Sequence, residues 1–415
     1  NGNSLGLMIS VPYIDLADQW SDVLKIFQWN PIVCHSETKW KDILSSQVGA
    51  FNNGSINNIC IVVTNSTMST SELFKENIKS INKDNLMFIG DECHHHTTEA
   101  KKNAIPLESE YILGLSATPF HYRDEVKAAT TREIYGDVSH VFTLKDAIEK
   151  GILSPFKYEV SQVYLTEDEM VQYRDLSRRI AAASGGDNNT TSSDALNSLA
   201  AERSRLLTSS SNKIPALIEK IRDKDPSPFT LFYVGDGRVE DGDLDGGEVE
   251  ENMRQISAVT RVLDRYKWTK SQFTANESRN ERKSILKNFK SKMTEAIIAI
   301  RCLDEGIDIP LCNEAYLIAS TRDRRQYIQR AGRLLRKSEN KSEAIIHDFL
   351  MFPTVLDKDD MQENEINLIK NEINRARHFI SHSNNPAEQI KIIDNWLDEY
   401  GLNYKSDELL QEDEY

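Results

Sequence analysis

One short stretch, residues 85–96, restricts the fold of this chain more than any other. It reads Asn-Leu-Met-Phe-Ile-Gly-Asp-Glu-Cys-His-His-His, so four apolar residues lead directly into a glycine and two carboxylates. The apolar run has the length of a strand buried on both faces, and ligands of open parallel sheets bind beyond the carboxyl ends of such strands. We therefore expect Asp91 and Glu92 to project into a ligand-binding crevice. An acidic pair after a strand is also typical of a turn or a helix cap.

Strand and helix patterns alternate along most of the remaining sequence. Residues 5–12 form an apolar run closed by a proline, and residues 14–27 follow with apolar side chains at helical spacing. Comparable units recur up to about residue 349, which is the signature of doubly wound parallel sheets. The fold class predicted is α/β, with two similar tandem domains and a small helical C-terminal segment. The predicted domains are residues 1–150, 151–356 and 357–415.

Composition and charge narrow the kind of protein further. The chain has 415 residues, of which 39% are apolar and 28% charged, enough for two or three domains with real cores. It contains no run of 18 apolar residues and no apolar signal segment at its start, so we expect a cytoplasmic protein with no membrane contact. Residues 357–415 carry −9 of the formal charge of −15. The first 356 residues therefore carry little net charge, which is compatible with a local basic cleft for nucleic acid.

The cysteine and histidine spacing predicts no metal cluster. The five cysteines are far apart and include no Cys-x-x-Cys pair, which argues against a zinc site and a disulfide framework. His94, His95 and His96 are consecutive, and three consecutive side chains converge on one ion only with an irregular backbone.

A second basic motif lies near the end of the predicted second domain. Residues 329–336 read Gln-Arg-Ala-Gly-Arg-Leu-Leu-Arg. On a helix, Arg333 and Arg336 would share a face, so both guanidinium groups could reach one polyphosphate. Leu334 and Leu335 would anchor the helix inward, and Gly332 would permit a close backbone approach. The alternative is a basic surface helix.

Four motifs, in this order along the chain, resemble those of a known family. Asp91-Glu92-Cys93-His94 resembles an Asp-Glu-x-His box, Ser116-Ala117-Thr118 the following Ser-Ala-Thr motif, and residues 303–310 and 329–336 two later motifs. Val11-Pro12, Thr64 and residues 273–282 match further segments. The chain up to about residue 352 is thus similar to superfamily 2 helicases and translocases of the DExH type, most of all to bacterial XPB-like and type III restriction-subunit-like enzymes.

The resemblance implies two RecA-like domains that bind ATP and Mg²⁺ between them and track along a nucleic acid. Asp91 would hold the metal through its water shell, and Glu92 would deprotonate the attacking water. The remaining implied roles fall into three groups. Catalysis would involve Gln329, Arg333 and Arg336. The nucleotide would be contacted by His94, Ser116, Thr118, Gly306, Asp308 and Arg330. The nucleic acid would be contacted by Val11, Pro12, Thr64 and Arg282.

One departure from the family pattern concerns the phosphate-binding loop. The sequence contains no Gly-x-x-x-x-Gly-Lys-Ser/Thr and no Gly-Lys pair. In the family this loop precedes Val11-Pro12, so we expect it upstream of residue 1, in a longer parent ATPase. The resemblance favours double-stranded DNA over RNA as partner, and makes a role in bacterial defence plausible by analogy. The rival hypothesis is a catalytically incomplete scaffold whose acidic C-terminal helices recruit protein partners.

Overall fold

A computed structural model describes most of the chain. The described residues are 4–120, 124–184, 193–235, 238–239, 253–274, 276–300, 312–319, 331–338, 341–354 and 360–402. They divide into two compact units, one ending at Val141 and the other beginning at Phe142.

The first unit contains a five-stranded sheet with helices and 3₁₀ turns between its strands. Its elements are β1 (Leu5–Val11), α1 (Ile14–Ile26), β2 (Ile32–Cys34), α2 (Lys41–Asn52), β3 (Asn58–Thr64), α3 (Asn65–Thr70), α4 (Glu72–Ser80), β4 (Leu86–Asp91), α5 (Glu99–Lys102), β5 (Tyr111–Leu115) and α6 (Glu125–Tyr135). The strand order is β2-β3-β1-β4-β5, and every pairing in this sheet is parallel.

Both faces of this sheet are buried along β1 and β3, which explains why these two strands are largely apolar. Side chains alternate between faces along a strand. Met8 lies in a cluster with α2 and α4 residues, including Leu44 and Phe74, whereas its neighbour Ile9 lies in a second cluster with Ala17 of α1. The sheet is therefore sandwiched between helices, as the unbroken apolar runs predict.

The second unit contains a six-stranded parallel sheet. Its elements are α7 (Leu144–Glu149), β6 (Phe156–Tyr164), α8 (Glu167–Ser184), α9 (Ser193–Thr208), α10 (Lys213–Ile221), β7 (Thr230–Val234), β8 (Arg238–Val239), β9 (Met253–Arg254), α11 (Gln255–Arg265), β10 (Lys270–Phe273), α12 (Arg279–Lys290), β11 (Ala296–Ile300), β12 (Glu314–Leu317), β13 (Ala344–Phe352), α14 (Glu363–Ile380) and α15 (Pro386–Glu399). The strand order is β10-β11-β7-β12-β13-β6, with β8 and β9 as a separate antiparallel pair.

The C-terminal helices are integral to the second unit. α14 packs on β13, and the fully buried Arg375 of this helix bonds Asp348 of β13 and Glu372. The connection into α15 covers the outer edge of β6, because the Asn385 amide bonds both the N–H and the carbonyl of Tyr158. Side-chain amides thus replace a further strand at this edge, which would otherwise expose unpaired backbone groups.

The predicted α/β class with two parallel sheets and C-terminal helices is confirmed. In the described part of the chain, none of the helices is long and apolar enough to span a membrane. The four described cysteines, Cys34, Cys60, Cys93 and Cys312, are buried free thiols.

Candidate nucleotide site

The strand register of the first unit brings several predicted site residues to one edge of the sheet. Val11 pairs with Thr64, and Asp91 pairs with Leu115, the residue before Ser116. Ser10 pairs with Gly90, so the last residues of β1, β3, β4 and β5 lie at the same level. Because all four strands are parallel, this is their common carboxyl edge.

Asp91 is held by two hydrogen bonds at the end of β4. The indole Nε1 of Trp20 in α1 donates to Oδ2 at 2.7 Å, and the backbone N–H of Glu92 donates to Oδ1 at 3.0 Å. Burial raises the pKa of this carboxyl, and the two hydrogen bonds oppose that shift. A carboxylate fixed in this way retains acceptor capacity on both oxygens, so it can still accept from metal-bound water.

Glu92 adopts a backbone conformation that non-glycine residues seldom take. Its φ of 47° and ψ of 53° place it in the left-handed region, immediately before a 3₁₀ turn over Cys93–His96. This turn directs the chain sharply away from β4 at the carboxylate pair. Such conformations persist where the surrounding structure enforces them, which is common at functional sites.

His94 joins the ends of β4 and β5. Its Nδ1 lies 2.9 Å from the Ser116 hydroxyl oxygen and 3.4 Å from a Glu92 carboxylate oxygen. The Ser116 oxygen also accepts from the backbone N–H of Thr118 at 3.2 Å. The structure therefore brings together His94, Glu92, Ser116 and Thr118, which sequence reasoning had assigned to one nucleotide site.

The side chains of His94 and His96 diverge, whereas the rings of His94 and His95 lie 4.3 Å apart. His94 faces Ser116, whereas His96 is fully buried and bonds Ser10, Asn65 and Tyr135 on the other side of the turn. No group of His, Cys, Asp and Glu side chains among the described residues is arranged to hold a metal ion by itself.

The candidate nucleic-acid residues occupy varied positions. Val11 is fully buried, and Pro12 is half-buried beside it. The Thr64 hydroxyl caps α3 by accepting from the Thr67 N–H. Arg282, in the second unit, donates to the Thr274 carbonyl at 2.8 Å and lies over the Phe273 ring. Their contribution to nucleic-acid binding stays a prediction.

In the second unit, Leu334 and Leu335 are buried and Arg333 is half-buried, as expected for an anchored basic segment. The described helical residues end at Leu334, and Arg336 instead forms an antiparallel bridge with Leu153. The helical spacing that predicts a shared face for the two arginines therefore does not extend to Arg336. The buried Lys341 ammonium donates to the Leu334 carbonyl and stabilises this helix end.

Four predicted site residues lie outside the described residues: Gly306, Asp308, Gln329 and Arg330.

Sequence reasoning missed Trp20, His96 and Tyr135. Trp20 is read from the sequence only as an apolar position of a helix, and its partner Asp91 lies 71 residues away. A weak signal existed for Tyr135, because Gly90 and Gly114 occupy paired positions on neighbouring strands and leave room for a ring.

Comparison with known proteins defines the class. Residues 5–121 match the family described as type III restriction enzyme, res subunit, and residues 249–338 match the helicase conserved C-terminal domain. With the two parallel sheets and the conserved order of motifs, these matches make the chain a superfamily 2 helicase.

Within that class it is a distant XPB-like relative with a restriction-subunit-type first domain. It is 23% identical over 358 residues to the DNA 3'-5' translocase XPB2 of Sulfurisphaera tokodaii, covering 81% of this chain and 70% of that protein. It is 25% identical over 303 residues to putative helicase 22 of a Sulfolobus islandicus filamentous virus, covering 72% of this chain and 48% of that protein.

A solved structure supports the fold. The ATP-dependent Type ISP restriction-modification enzyme LlaBIII bound to DNA aligns with a TM-score of 0.55 at 16% identity, over 91% of this chain and 27% of that one.

Proposed function

We propose that this chain is the motor core of an ATP-dependent DNA translocase or helicase that acts mainly on double-stranded DNA. The observation that supports this most directly is the convergence of Asp91, Glu92, His94 and Ser116 at the carboxyl edge of one parallel sheet. A superfamily 2 helicase is by class an ATPase. The proposal assigns the reacting groups of that ATPase to these residues.

The carboxylate pair suits magnesium and water. Mg²⁺ prefers oxygen ligands and keeps several of its waters, and when bound it neutralises charge on the transferred phosphoryl group. Asp91, oriented by Trp20, would accept hydrogen bonds from those waters. Glu92, one residue further, would take the proton of the attacking water, and His94 with Ser116 would keep its carboxylate in place.

The phosphate-binding loop is proposed to come from a segment that precedes residue 1. The sequence offers no Gly-Lys pair for this role. Among the described residues, β5 is the last strand on its side of the sheet, and its Tyr111, Leu113 and Leu115 side chains are more than one third exposed. An apolar edge of this kind is suited to receive another strand. The 415-residue chain alone is then expected to bind ATP weakly and to show no measurable hydrolysis.

Arg333 is proposed to act in ATP hydrolysis, with Arg336, Gln329 and Arg330 nearby in sequence. Gly306 and Asp308 are proposed to contact the nucleotide. We propose that residues 1–150 and 151–356 are the two motor domains, and that the segment 357–415, whose helices α14 and α15 pack on the second domain, also carries surfaces for protein partners.

DNA is favoured as the track for two reasons. One relative is named as a DNA translocase, and the structure of similar fold is of an enzyme bound to DNA. The excess of acidic residues lies largely in residues 357–415, which are distant along the chain from the proposed contacts at Val11, Pro12, Thr64 and Arg282. The restriction-type first domain makes defence against foreign DNA a further proposal.

The test is an ATPase assay on the complete protein with double-stranded DNA, single-stranded DNA and RNA at fixed salt, since salt controls affinity for the phosphate backbone. We expect the largest stimulation with double-stranded DNA. Stimulation by RNA alone would make the protein an RNA helicase. Absence of ATP hydrolysis under all conditions would favour the scaffold hypothesis.

A further inference from the structure

A buried polar cluster lies behind the Asp-Glu box, on the side away from Ser116. It consists of Ser10, Asn65, His96 and Tyr135, contributed by β1, α3, the 3₁₀ turn and α6. Ser10, Asn65 and His96 are at most 2% exposed. Three buried polar side chains and the half-buried Tyr135 are thus assembled from four elements.

The hydrogen bonds of the cluster fix the state of the imidazole. The Ser10 hydroxyl donates to Asn65 Oδ1, and His96 Nε2 lies 2.9 Å from the same oxygen and 3.2 Å from the Ser10 hydroxyl oxygen. With Asn65 Oδ1 facing the ring, Nε2 carries the proton and donates, and Nδ1 accepts from the Tyr135 hydroxyl. In this orientation the buried Asn65 Nδ2 makes no hydrogen bond. The ring is neutral and bonded on both sides.

Two glycines, Gly90 and Gly114, leave the space that the Tyr135 side chain occupies. A Cβ atom at Gly90 would lie 2.2 Å from the Tyr135 hydroxyl oxygen, and one at Gly114 would lie 2.9 Å from its ring. These glycines are register partners on β4 and β5. The tyrosine therefore lies across two strands immediately before the Asp-Glu box and prevents His96 from moving away from the strand ends.

The cluster connects two sets of residues to which the proposed function gives different tasks. Ser10 and Asn65 each adjoin a proposed nucleic-acid contact, Val11 and Thr64 respectively. His96 lies in the same turn as His94, and the N–H of the intervening His95 donates to the Glu92 carbonyl at 2.9 Å. A displacement at the end of β1 or β3 would be transmitted through the His96 imidazole to the backbone of Glu92, the proposed base.

Burial of these groups needs a reason beyond packing. Polar groups removed from water contribute little net stability even when fully bonded, and an apolar cluster of the same shape can be equally stable. A network of buried hydrogen bonds does, however, fix relative positions more narrowly than apolar contacts do. This property suits a connection that must transmit small displacements.

We propose that His96 is a positioning residue that couples nucleic-acid binding at the ends of β1 and β3 to the Asp91–Glu92 box. The inference rests on the proposed function, and it concerns stimulation of hydrolysis by nucleic acid, not hydrolysis as such. It is separate from the His94–Ser116 contact, which joins the box to β5.

The experiment compares three variants of the complete protein: Tyr135→Phe, Ser10→Ala and His96→Gln, which keeps a donor but removes the Nδ1 acceptor. Tyr173→Phe is the matched control, because it also removes a buried tyrosine hydroxyl, bonded to the Asn364 carbonyl in the second unit. For each protein the measurements are the ATPase rate without DNA and with saturating double-stranded DNA, the KM for ATP, and the Kd for DNA at one salt concentration.

We expect the factor of DNA stimulation to fall about fivefold or more in the three variants, while the DNA-free rate, the KM and the Kd stay at wild-type values. The control should keep full stimulation. Wild-type stimulation in Tyr135→Phe and Ser10→Ala would overturn the inference, even if His96→Gln failed to fold. Equal loss of the DNA-free and stimulated rates would also overturn it, because it would show a purely structural role. A wild-type protein that no nucleic acid stimulates would overturn the proposed function as well.

Discussion

Trp20 places an indole N–H against the carboxylate proposed to hold magnesium. Replacing it by phenylalanine keeps the ring packing but removes the 2.7 Å hydrogen bond to Asp91. Groups that orient a metal-binding side chain are typically worth 10- to 100-fold in metal affinity or activity, so Trp20→Phe should weaken apparent Mg²⁺ affinity in the ATPase assay by about that factor. Trp29→Phe, in the same apolar cluster, serves as the control. An unchanged Mg²⁺ dependence would remove Trp20 from the site.

His96 gives the first unit a particular pH dependence. Burial lowers the pKa of its imidazole from 6.5 to about 3, with nearby Lys101 and His95 acting in the same direction. Below pH 6.5 the unfolded chain binds a proton that the folded chain does not, so stability falls as pH drops from about 6.5 towards 3, by up to about 1.4 kcal/mol per pH unit.

Urea unfolding followed by tryptophan fluorescence tests this expectation, because Trp20, Trp29 and Trp40 all lie in the first unit. The slope of unfolding free energy against pH over this range should be shallower in His96→Gln than in the wild-type protein. His35 also has a pKa lowered by burial, so part of the slope should remain. Identical slopes would show that His96 takes up its proton in the folded state.

The contacts made by Trp20 and His96 could not be predicted from the sequence. The carboxylates at residues 91 and 92 were identified from a strand ending in acidic residues, which is a local pattern. The partners of Asp91 and His96 lie tens of residues away on other elements. Only the folded chain brings them together, and no local spacing encodes them.

At the scale of elements, α14 is fixed by a buried charge. Arg375 bonds Asp348 and Glu372, and Tyr158 donates to Asp348 at 2.6 Å. Arg375→Met would leave two carboxylates buried without their cation, which typically costs 3–5 kcal/mol, so the second unit should lose about that much unfolding free energy.

Arg178→Met is the matched control, since its ion pair with Asp175 is on the surface and should contribute little. Chemical denaturation of both variants provides the comparison. Equal stability of the two would mean that the buried cluster does not hold α14 on the sheet.

The segment around Arg333 carries the second element-scale prediction. Loss of an arginine that stabilises charge on the γ-phosphate typically costs about 10³-fold or more in rate. Arg333→Ala in the complete protein should therefore reduce DNA-stimulated turnover by about that factor, with only a modest change in DNA affinity at fixed salt.

Arg336 lies beyond the end of this helix, so Arg336→Ala tests whether it acts together with Arg333. If it does, the loss should be similar and the double variant little worse than either, because residues that act as one unit are not additive. The exposed Arg222 offers a control substitution. If Arg333→Ala kept its rate and lost DNA binding, this segment would be a nucleic-acid surface.

The elements themselves were largely predictable. Leu86–Asp91 and Ala296–Ile300 are unbroken apolar runs of strand length, and α1 follows the spacing of its apolar residues. The small and polar residues of 181–193 predict a flexible insertion, yet α8 continues to Ser184, because alanines are good helix formers. Residues 185–192 lie outside the described residues. Strand order could not be read from the sequence, since pairing joins segments that are distant along the chain.

For the whole molecule, family membership indicates that the two units belong to one helicase motor, which the geometry within a single unit cannot indicate. The two family matches occur in the order expected for a helicase motor. The acidic charge of the C-terminal region suggested a separate segment, but α14 and α15 lie against β13 and β6 of the second unit. Their inward faces carry apolar residues at helical spacing, which the net charge of the region conceals.

Glu92 is proposed to be the base of a DNA-stimulated ATPase. The substitution of this residue by glutamine tests that role. Glu92→Gln keeps the shape of the side chain and leaves Asp91 in place, but it cannot take a proton from water. Turnover of the complete protein with saturating double-stranded DNA should fall by about 10²- to 10⁴-fold while the affinity for ATP is largely kept. Wild-type turnover in this variant would contradict the assignment of Glu92 as the base.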